Sequence, residues 1–429
     1  MTPEIEKRIK AVRAGRVPAG YKKSKVGIVP KEWGEVRFHD MFSRVVRKNK
    51  EGNTNVLTIS AQYGLINQND FFNKTVASDD KSNYYLMKKG EFAYNKSYSN
   101  GYPFGALKRL DFYDKGIVSP LYICFAANGN NKCPDFYVHY FEAGLMNREI
   151  QAFAQEGARN HGLLNISVDD FFNSNLLNPP ISEQKTIAEI LATQDKVIEL
   201  KEKLIAEKQS QKKYLMSVLL GDDFKKPFKL NSVTIDKKKW EKVRCEKILF
   251  PSGKRNKEKL NLEPYAITNE YGFVPQKQAH DDFGYMKNAD RSAYIIVSSN
   301  SFGYNPARIN VGSIGYYDGS EDIIVSSLYE VFKTTDAIDD RFLWHWFKSD
   351  VFPKWIDKLQ EGSVRQYFYY DKLIRCEINL PPLPEQKAIA DVLSAADEEI
   401  SLLQKGLEQE KLKKKSLMKL LLTGLVRVA

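Results

Sequence analysis

The sequence predicts an α+β protein made of two copies of one unit, each a compact domain followed by a long helix. Three observations support this fold class. A motif recurs in the same order along the chain, short β-type runs alternate with turn signals, and two long segments carry apolar residues at coiled-coil spacing.

The duplication is clearest in a motif that occurs twice. Residues 178–191 read N-P-P-I-S-E-Q-K-T-I-A-E-I-L, and residues 380–393 read L-P-P-L-P-E-Q-K-A-I-A-D-V-L. Trp33 pairs in the same order with Trp240, and residues 117–122 pair with 324–329. Because these matches keep the same order and a nearly constant spacing along the chain, they indicate two copies of one unit with small insertions and deletions.

The first part of each copy has the pattern of a mixed domain. Strand-like runs rich in β-branched and aromatic residues are separated by Asn-Gly and Asp-Gly turns, and one helical stretch follows in each copy. The runs are 55–59, 293–297 and 313–317, and the helical stretches are 136–155 and 339–360. We therefore predict a compact α+β domain in each copy.

The second part of each copy is a long helix of about 36 residues, or roughly 54 Å at 1.5 Å per residue. Apolar residues recur at steps of three and four, as in a coiled coil. We predict that the two helices pack antiparallel about a pseudo-twofold axis, separating the two domains. The predicted segments are a domain with a short N-terminal helix at 1–180, a helix at 181–222, a domain at 223–381, and a helix with tail at 382–429.

Charged residues interrupt the row of apolar residues on both long helices. This predicts that one face of each helix is left free for partner proteins. We assign partner docking to these residues: Lys201, Lys208, Lys212, Glu410 and Lys414.

The repeat is cyclic, because residues 10–17 look like the end of a long helix, residues 419–426. The N-terminal segment is therefore expected to lie on the first domain as residues 217–221 lie on the second. This would place both termini beside the end of the second helix.

The composition favours a soluble protein with a polyanionic partner. The formal net charge is +11, and 28% of residues are charged. No stretch approaches the roughly 18 apolar residues of a membrane span, and the N-terminus lacks a signal-peptide core. The four cysteines have no zinc or disulfide spacing. A cytoplasmic protein with reduced thiols is expected.

The P-P-L-P-E-Q-K-A-I-A-D-V-L motif, the lysine-rich long helix and the L-L-T-G-L-V-R ending resemble the specificity subunits of type I restriction-modification systems. The resemblance covers the whole chain. It implies that each domain is a target recognition domain reading one half of a split sequence in double-stranded DNA. It also implies that the helices set the spacing and dock two modification subunits, which carry S-adenosylmethionine and methylate adenine at N6. A separate restriction subunit would supply ATP-driven translocation and cleavage.

The residues give no sign of catalysis by this chain. Asn178–Ile181 mimics the N-P-P-[FY] turn of adenine methyltransferases, but isoleucine stands where an aromatic residue should stack on the flipped base. Pro251–Lys254 lacks the remaining residues of a phosphate loop. Glu385–Lys387 fits a nuclease E-x-K, yet it recurs at a helix start, which favours capping and docking. No cofactor or metal site is expected, since the five histidines lack ligand spacing.

DNA bases are read by hydrogen-bonding side chains on loops that enter the major groove. Three pairs of loops carry such groups. The first pair is 95–102 with 298–305, contributing Asn95, Lys96, Ser97, Tyr98, Tyr102, Ser298, Asn300 and Tyr304, with Arg308 just beyond. The second pair contributes Arg159, Asn160, His161, Arg365 and Gln366. The third pair contributes Gln62, Tyr63 and Tyr271. The loops differ between copies, which predicts an asymmetric bipartite target.

Two other interpretations remain open at this point. One is the recognition subunit of a modification-only or single-chain-partner system. The other is a coiled-coil scaffold that organises proteins without reading DNA sequence. Salt-dependent, sequence-selective DNA binding separates the scaffold from the other two.

Overall fold

A computed structural model of the chain describes residues 2–60, 64–71, 81–99, 101–129, 132–156, 164–221, 226–279, 291–359 and 367–428. The chain divides into two compact units, which we call unit 1 (Met1–Lys201 with Gly406–Ala429) and unit 2 (Glu202–Lys405). Each unit therefore contains one globular domain and a part of each long helix. Over the described ranges, none of the helices has the length and apolar character needed to cross a membrane.

Unit 1 contains fourteen of the strands that the described residues form. Its helices are short, apart from its portions of the two long helices. Its helices are α1 (Pro3–Arg13), α2 (Phe38–Met41), α3 (Gln68–Phe71), α4 (Pro134–Glu142), α5 (Asn147–Phe153) and α6 (Val168–Phe172). Its strands are β1 (Tyr21–Lys23), β2 (Ile28–Pro30), β3 (Gly34–Arg37), β4 (Phe42–Arg44), β5 (Leu57–Ser60), β6 (Gly64–Asn67), β7 (Tyr85–Lys88), β8 (Phe92–Asn95), β9 (Ala106–Arg109), β10 (Lys115–Val118), β11 (Ile123–Ala127), β12 (Gln155–Glu156), β13 (Leu164–Asn165) and β14 (Asn175–Asn178). The long helix α7 (Ile181–Leu220) begins in this unit.

Unit 2 follows the same order of elements. Its strands are β15 (Phe228–Leu230), β16 (Val233–Ile235), β17 (Glu241–Arg244), β18 (Leu249–Pro251), β19 (Pro264–Thr268), β20 (Gly272–Pro275), β21 (Ile295–Val297), β22 (Ser301–Tyr304), β23 (Ile314–Tyr317), β24 (Ile323–Val325), β25 (Glu330–Thr334) and β26 (Glu377–Leu380). Its helices are α8 (Gln276–Ala279), α9 (Asp340–Lys348), α10 (Phe352–Leu359) and α11 (Tyr370–Leu373), followed by the long helix α12 (Leu383–Leu421). Short 3-10 turns lie at Lys237–Lys239, Cys245–Lys247 and Ile309–Val311.

The sheets confirm the duplication strand by strand. An antiparallel four-stranded sheet has the order β4-β11-β8-β9 in unit 1 and β18-β25-β22-β23 in unit 2. Beside it, β19 pairs in parallel with β24, and the equivalent contact in unit 1 is a parallel bridge from Val56 to Ile117. The prediction of two α+β domains is therefore confirmed. Each predicted helical stretch is in fact two helices, α4 with α5 and α9 with α10.

Each domain core includes residues from both long helices. In unit 1, Ile187 and Leu191 of α7 and Leu422 after α12 are fully buried against the aromatic cluster around Trp33. In unit 2, Ile389 and Leu393 of α12 occupy the equivalent positions. Burial of these apolar residues in a domain core stabilises the long helices.

Ion pairs join the two long helices within each unit and define their direction. In unit 1, Lys414 lies 2.5 Å from Asp195 and Lys201 lies 3.2 Å from Glu410. From the first pair to the second, the residue number rises on α7 and falls on α12. The two helices therefore run antiparallel, as predicted. In unit 2 the corresponding pairs are Lys208 with Glu399, at 2.7 Å, and Lys212 with Asp397.

These ion pairs change the basis of the docking prediction. The five residues assigned to partner docking each contact a charged side chain of the other long helix, and their side chains are 17–32% exposed. The charges where the two helices meet therefore offset one another. Docking by Lys201, Lys208, Lys212, Glu410 and Lys414 stays a prediction, although the charges from which it was inferred are paired between the helices.

A buried histidine joins each cluster. His139 Nδ1 lies 3.8 Å from Asp195 in unit 1, and His345 Nδ1 lies 3.8 Å from Asp397 in unit 2. Burial, reinforced by the positive charge of Lys212, lowers the pKa of His345 to about 4. Burial also lowers the pKa of His139. Both histidines are therefore neutral at pH 7.

The repeated Glu-Gln pair holds each domain to the helix that follows it. Glu183 accepts a hydrogen bond from Trp33 Nε1 at 3.3 Å, and Glu385 accepts one from Trp240 Nε1 at 2.9 Å. The amide of Gln184 donates to the carbonyl of Pro179, five residues back, and Gln386 does the same to Pro381, both at 2.8 Å. The motif therefore holds each domain to its helix, and its predicted capping and docking role stays a prediction.

The end of α12 lies on the first domain as the end of α7 lies on the second. In unit 2, Lys237 Nζ donates to the carbonyl oxygens of Val218 (2.8 Å) and Gly221. In unit 1 the position equivalent to Lys237 is Pro30, which packs against Gly424. The N-terminal segment does not take this position, because residues following α12 already fill it. Instead α1 lies beside them, and Arg8 Nη1 donates to the carbonyl of Leu425 at 3.1 Å.

Candidate nucleic-acid interface

In each unit, a loop follows the same inner strand of the four-stranded sheet. This strand is β8 in unit 1 and β22 in unit 2. Phe92 stacks on Phe125 and Phe302 stacks on Phe332, with ring centroids 5.3 Å apart in both cases. These matching stacks make Phe92 equivalent to Phe302, and the loops that follow can therefore be compared residue by residue.

Both loops begin with the same asparagine turn. Asn95 Oδ1 accepts a hydrogen bond from the backbone N–H of Ser97 at 3.1 Å, and Asn305 Oδ1 accepts one from Ala307 at 3.0 Å. This side-chain-to-backbone bond fixes the path of the chain as it leaves the strand. The residue after the turn is Tyr98 in unit 1.

At the equivalent position of unit 2 stands Arg308. Tyr98 is 62% exposed, and Arg308 is also exposed. An exposed phenol ring and an exposed guanidinium group therefore occupy matching positions on the two domains. Arginine donates two hydrogen bonds to guanine in the major groove, whereas tyrosine offers a ring face and one hydroxyl. The two domains thus present different chemistry to a ligand.

The predicted pairing of residues 95–102 with 298–305 is wrong, because the first segment follows β8 whereas the second begins before the equivalent strand, β22. Residues 298–300 form the turn before β22, and the equivalent turn in unit 1 lies before β8. Gly90 (φ +87°) and Asn300 (φ +56°) share the left-handed conformation at this turn. The true counterpart of residues 95–102 begins at Asn305.

This correction removes three residues from the candidate interface. Tyr304 is fully buried in the unit 2 core, where its ring lies 6.2 Å from that of Phe332, so it cannot contact a base. Ser298 and Asn300 lie at the opposite end of β22 from Arg308, and Asn300 accepts a hydrogen bond from the Tyr316 hydroxyl at 3.0 Å. The structure does not bring these residues to the loop edge.

In unit 1 a partly buried polar network anchors the loop to α4. The hydroxyl of Tyr102 donates to Glu142 at 2.6 Å, and Lys108 pairs with the same carboxylate. Burial and the neighbouring carboxylate raise the pKa of Tyr102 above its usual value. Burial opposes ionisation of Glu142, but Lys108 holds the pKa of this carboxyl below its ordinary value. Tyr102 therefore positions the loop that carries Tyr98.

In unit 2 the β19–β20 turn joins the same edge. The Ser313 hydroxyl donates to the carbonyl of Ile267 at 2.8 Å, and a Cβ at Gly312 would lie 4.0 Å from Asn269. Tyr271 in this turn is 72% exposed, and Val311 in the loop is 58% exposed. The edge thus gathers two of the predicted residues, Tyr271 and Arg308. The sequence reading missed Asn305 as the turn residue and Val311 as its neighbour, because the strand register was misaligned.

Backbone hydrogen bonds link Leu164 and Phe368 to the loops that follow β8 and β22. The N–H of Leu164 donates to the carbonyl of Lys96, and the N–H of Phe368 donates to the carbonyl of Pro306, both at 3.0 Å. Leu164 and Phe368 stand just after the predicted segments. Seven predicted residues lie outside the described residues: Gln62, Tyr63, Arg159, Asn160, His161, Arg365 and Gln366.

Comparison with known proteins identifies the repeated unit. The model of the family described as "Type I restriction modification DNA specificity domain" matches the chain twice, at residues 30–208 and 237–412. The MjaVIII specificity subunit of a type I restriction enzyme from Methanocaldococcus jannaschii is 28% identical over 333 residues, covering 73% of this chain and 75% of the relative. A putative MjaX specificity subunit from the same organism is 25% identical and covers 95% and 97%.

Solved structures agree in fold. The type I restriction-modification S subunit from M. genitalium has a TM-score of 0.53 at 14% identity and covers 91% of this chain and 96% of its own. A chain from a structure on complex assembly and conformational transition of the type I R-M system has a TM-score of 0.54 at 16% identity, with coverage of 93% and 99%. The scaffold interpretation without DNA reading is not favoured. The chain belongs to the type I restriction-modification DNA specificity family, whose members are sequence-specific DNA-recognition subunits rather than catalysts.

Proposed function

We propose that unit 1 and unit 2 each read one half of an asymmetric, two-part target in double-stranded DNA through the loop edges described above. The observation that carries this proposal is the matched asparagine turn, which presents Tyr98 in one unit and Arg308 in the other. The same backbone geometry with different side chains favours two half-sites of different sequence. Tyr271 adds an exposed aromatic ring to the second edge.

Replacing Arg308 by alanine is expected to relax recognition in one half-site only. A lost arginine–guanine pair costs about 1–3 kcal/mol, or roughly 5- to 150-fold in discrimination. The target is first found by methylome sequencing of the host with this gene present and deleted. Methylation by the assembled complex is then measured on duplexes altered at each half-site.

Tyr98→Ala is the matched variant, because it occupies the equivalent position in unit 1. We expect it to affect the other half-site. If both variants relax both halves equally, these side chains contact phosphates and the assignment fails. If deleting the gene leaves the methylome unchanged, the proposed DNA-reading function itself is wrong.

We further propose that the chain assembles with two modification subunits and a restriction subunit that translocates DNA. The docking residues we favour are exposed leucines of the long helices. Leu200 of α7 is 53% exposed in unit 1, and Leu402 of α12, at the equivalent position of the second repeat, is 60% exposed in unit 2. Exposed leucines at matching positions of both helices are typical of equivalent docking faces.

Replacing Leu402 by glutamate is expected to reduce the number of bound modification subunits from two to one, because a charge would be buried in an apolar contact. The stoichiometry is measured by light scattering after co-purification. Leu200→Glu should have the same effect, and the double variant should bind none. Leu328→Glu is the control, since this leucine is 76% exposed but lies on the domain. Two subunits bound to the double variant would contradict the docking assignment.

A further inference from the structure

Unit 2 contains a basic groove beside its long helices. The groove has a volume of about 880 Å³ and lies between the end of α7, the middle of α12 and the helices α9 and α10. Five lysines line it together with one tryptophan: Lys212, Lys213, Lys348, Lys354, Lys358 and Trp355. Only two carboxylates, Asp350 and Asp397, stand among its lining residues.

The two carboxylates do not neutralise the outer wall of the groove. Asp397 pairs with Lys212, and Asp350 lies 3.7 Å from Lys213 at a site where both side chains are 75% exposed. Lys354 and Lys358 are exposed on α10. The charge of Lys358 also helps to lower the pKa of the Glu377 carboxyl, which lies outside the lining of the groove. The ammonium of Lys358 lies 4.8 Å from the centre of the Trp355 ring. The wall of the groove that α10 forms is therefore positively charged, partly apolar and open to solvent.

Unit 1 repeats this charge pattern only in part, although its backbone elements correspond. Helices α4 and α9 align at His139 and His345, and α5 and α10 align at Ile150 and Ile356. On this alignment the unit 2 residues Lys348, Trp355 and Lys358 replace Glu142, Glu149 and Ala152. The other basic positions are kept, since Lys212, Lys213 and Lys354 correspond to Lys414, Lys415 and Arg148. The shared fold does not need the lysines that unit 2 adds, Lys348 and Lys358, and these added charges point to a ligand of unit 2.

Helix α10 packs against the segment that leads to the loop edge of unit 2. Phe352, the first residue of α10, packs against Phe368 with ring centroids 6.0 Å apart. The N–H of Phe368 in turn bonds the carbonyl of Pro306, two residues before Arg308. These two contacts connect α10 to the segment that carries Arg308. The connection, together with the lysines of the groove, favours the ligand proposed for Arg308 over a separate acidic protein.

We infer that the α10 wall of the groove, with Lys354 and Lys358 at its rim, binds backbone phosphates of double-stranded DNA outside the bases that unit 2 reads. The inference rests on the proposed DNA-reading function. Lysine binds phosphate as a point charge and carries no base preference, so this contact adds affinity without adding sequence information. DNA would then be held more strongly on the unit 2 side of the target than on the unit 1 side.

The test is a double charge reversal, Lys354→Glu with Lys358→Glu, in the full chain co-purified with its modification subunits. Binding of a fluorescent 40-bp duplex of mixed sequence is measured between 50 and 200 mM salt. Each lost phosphate contact lowers the slope of log K against log salt by about 0.9. The slope should therefore fall by roughly 2, and the loss of affinity across this salt range should be about ten-fold smaller than in the wild type. The methylated sequence should stay the same.

The matched control is Arg148→Glu with Ala152→Glu at the equivalent positions of unit 1, which should change the slope by one contact at most. An unchanged slope in the unit 2 variant overturns the inference, provided that the wild type binds with the usual salt dependence. Loss of modification subunits with unchanged DNA binding would also overturn it, because the occupant would then be an acidic protein surface. A wild-type complex without salt-dependent binding would instead contradict the proposed function.

Discussion

Replacing Glu183 by alanine is expected to destabilise unit 1 by about 2–4 kcal/mol. The carboxylate is 7% exposed and pairs with Arg427, whose Nε lies 2.9 Å from it. It also accepts the indole N–H of Trp33, which is fully buried. Removing it leaves a buried donor without its acceptor and a partly buried guanidinium without its counter-ion. The free energy of unfolding is measured by urea denaturation.

The equivalent residue of unit 2 provides the control. Glu385 accepts hydrogen bonds from Trp240 Nε1 at 2.9 Å and from the N–H of Asp236 at 3.2 Å. Its hydrogen bonds come from uncharged donors, so glutamine, which keeps an acceptor oxygen, should restore most of the stability at this position. Glu183→Gln should restore less, since it cannot balance Arg427. Equal effects of the two glutamine variants would show that the ion pair with Arg427 contributes nothing.

Lowering the pH from 7 to 5 is expected to cost about 2 kcal/mol of stability through His345 alone. The folded pKa is about 4, because burial and Lys212 disfavour the charged ring, whereas an unfolded histidine titrates near 6.5. Between these values the unfolded chain binds the proton and the folded chain does not. Stability is therefore full above pH 6.5 and falls as the pH drops toward 4, at 1.36 kcal/mol for each unit of pKa difference.

His345→Gln isolates this contribution from the carboxylates that titrate in the same range. Glutamine keeps a polar group near the Ser394 hydroxyl, which lies 3.0 Å from His345 Nε2. The wild type should lose about 2 kcal/mol more than the variant between pH 7 and 5. Parallel curves for the two proteins would mean that the histidine titrates at its ordinary pKa in the folded state.

The duplication and the α+β class could be predicted from the sequence because they depend on local periodicity and on repeated motifs. The prolines that precede the two long helices lie just before their first residues, Ile181 and Leu383. The predicted equivalence of Trp33 and Trp240 is confirmed, since the indole N–H of each donates a hydrogen bond to the glutamate of the repeated motif. Features of this kind are visible in a single chain.

The errors came from contacts between distant segments. Tyr304 was read as a loop residue because its segment matches residues 95–102 in composition, but the register of β22 makes it the buried equivalent of Tyr94. Lys201 and Lys414 were read as an unpaired polar face, because the sequence does not reveal which carboxylate of the other helix lies opposite. Interhelical pairing depends on contacts between distant segments, and a strand register that is misassigned moves side chains between the buried and exposed positions.

Met418, Leu421 and Leu422 complete the core around Trp33, and this has a consequence for biosynthesis. The first domain leaves the ribosome long before these residues are made. At about 5–20 residues per second, the delay is on the order of 10–50 s. During that interval the nascent domain lacks part of its core, and its apolar surface is open to chaperones or to a neighbouring chain. A nonsense mutation before Met418 would therefore disable the half of the protein that was translated first.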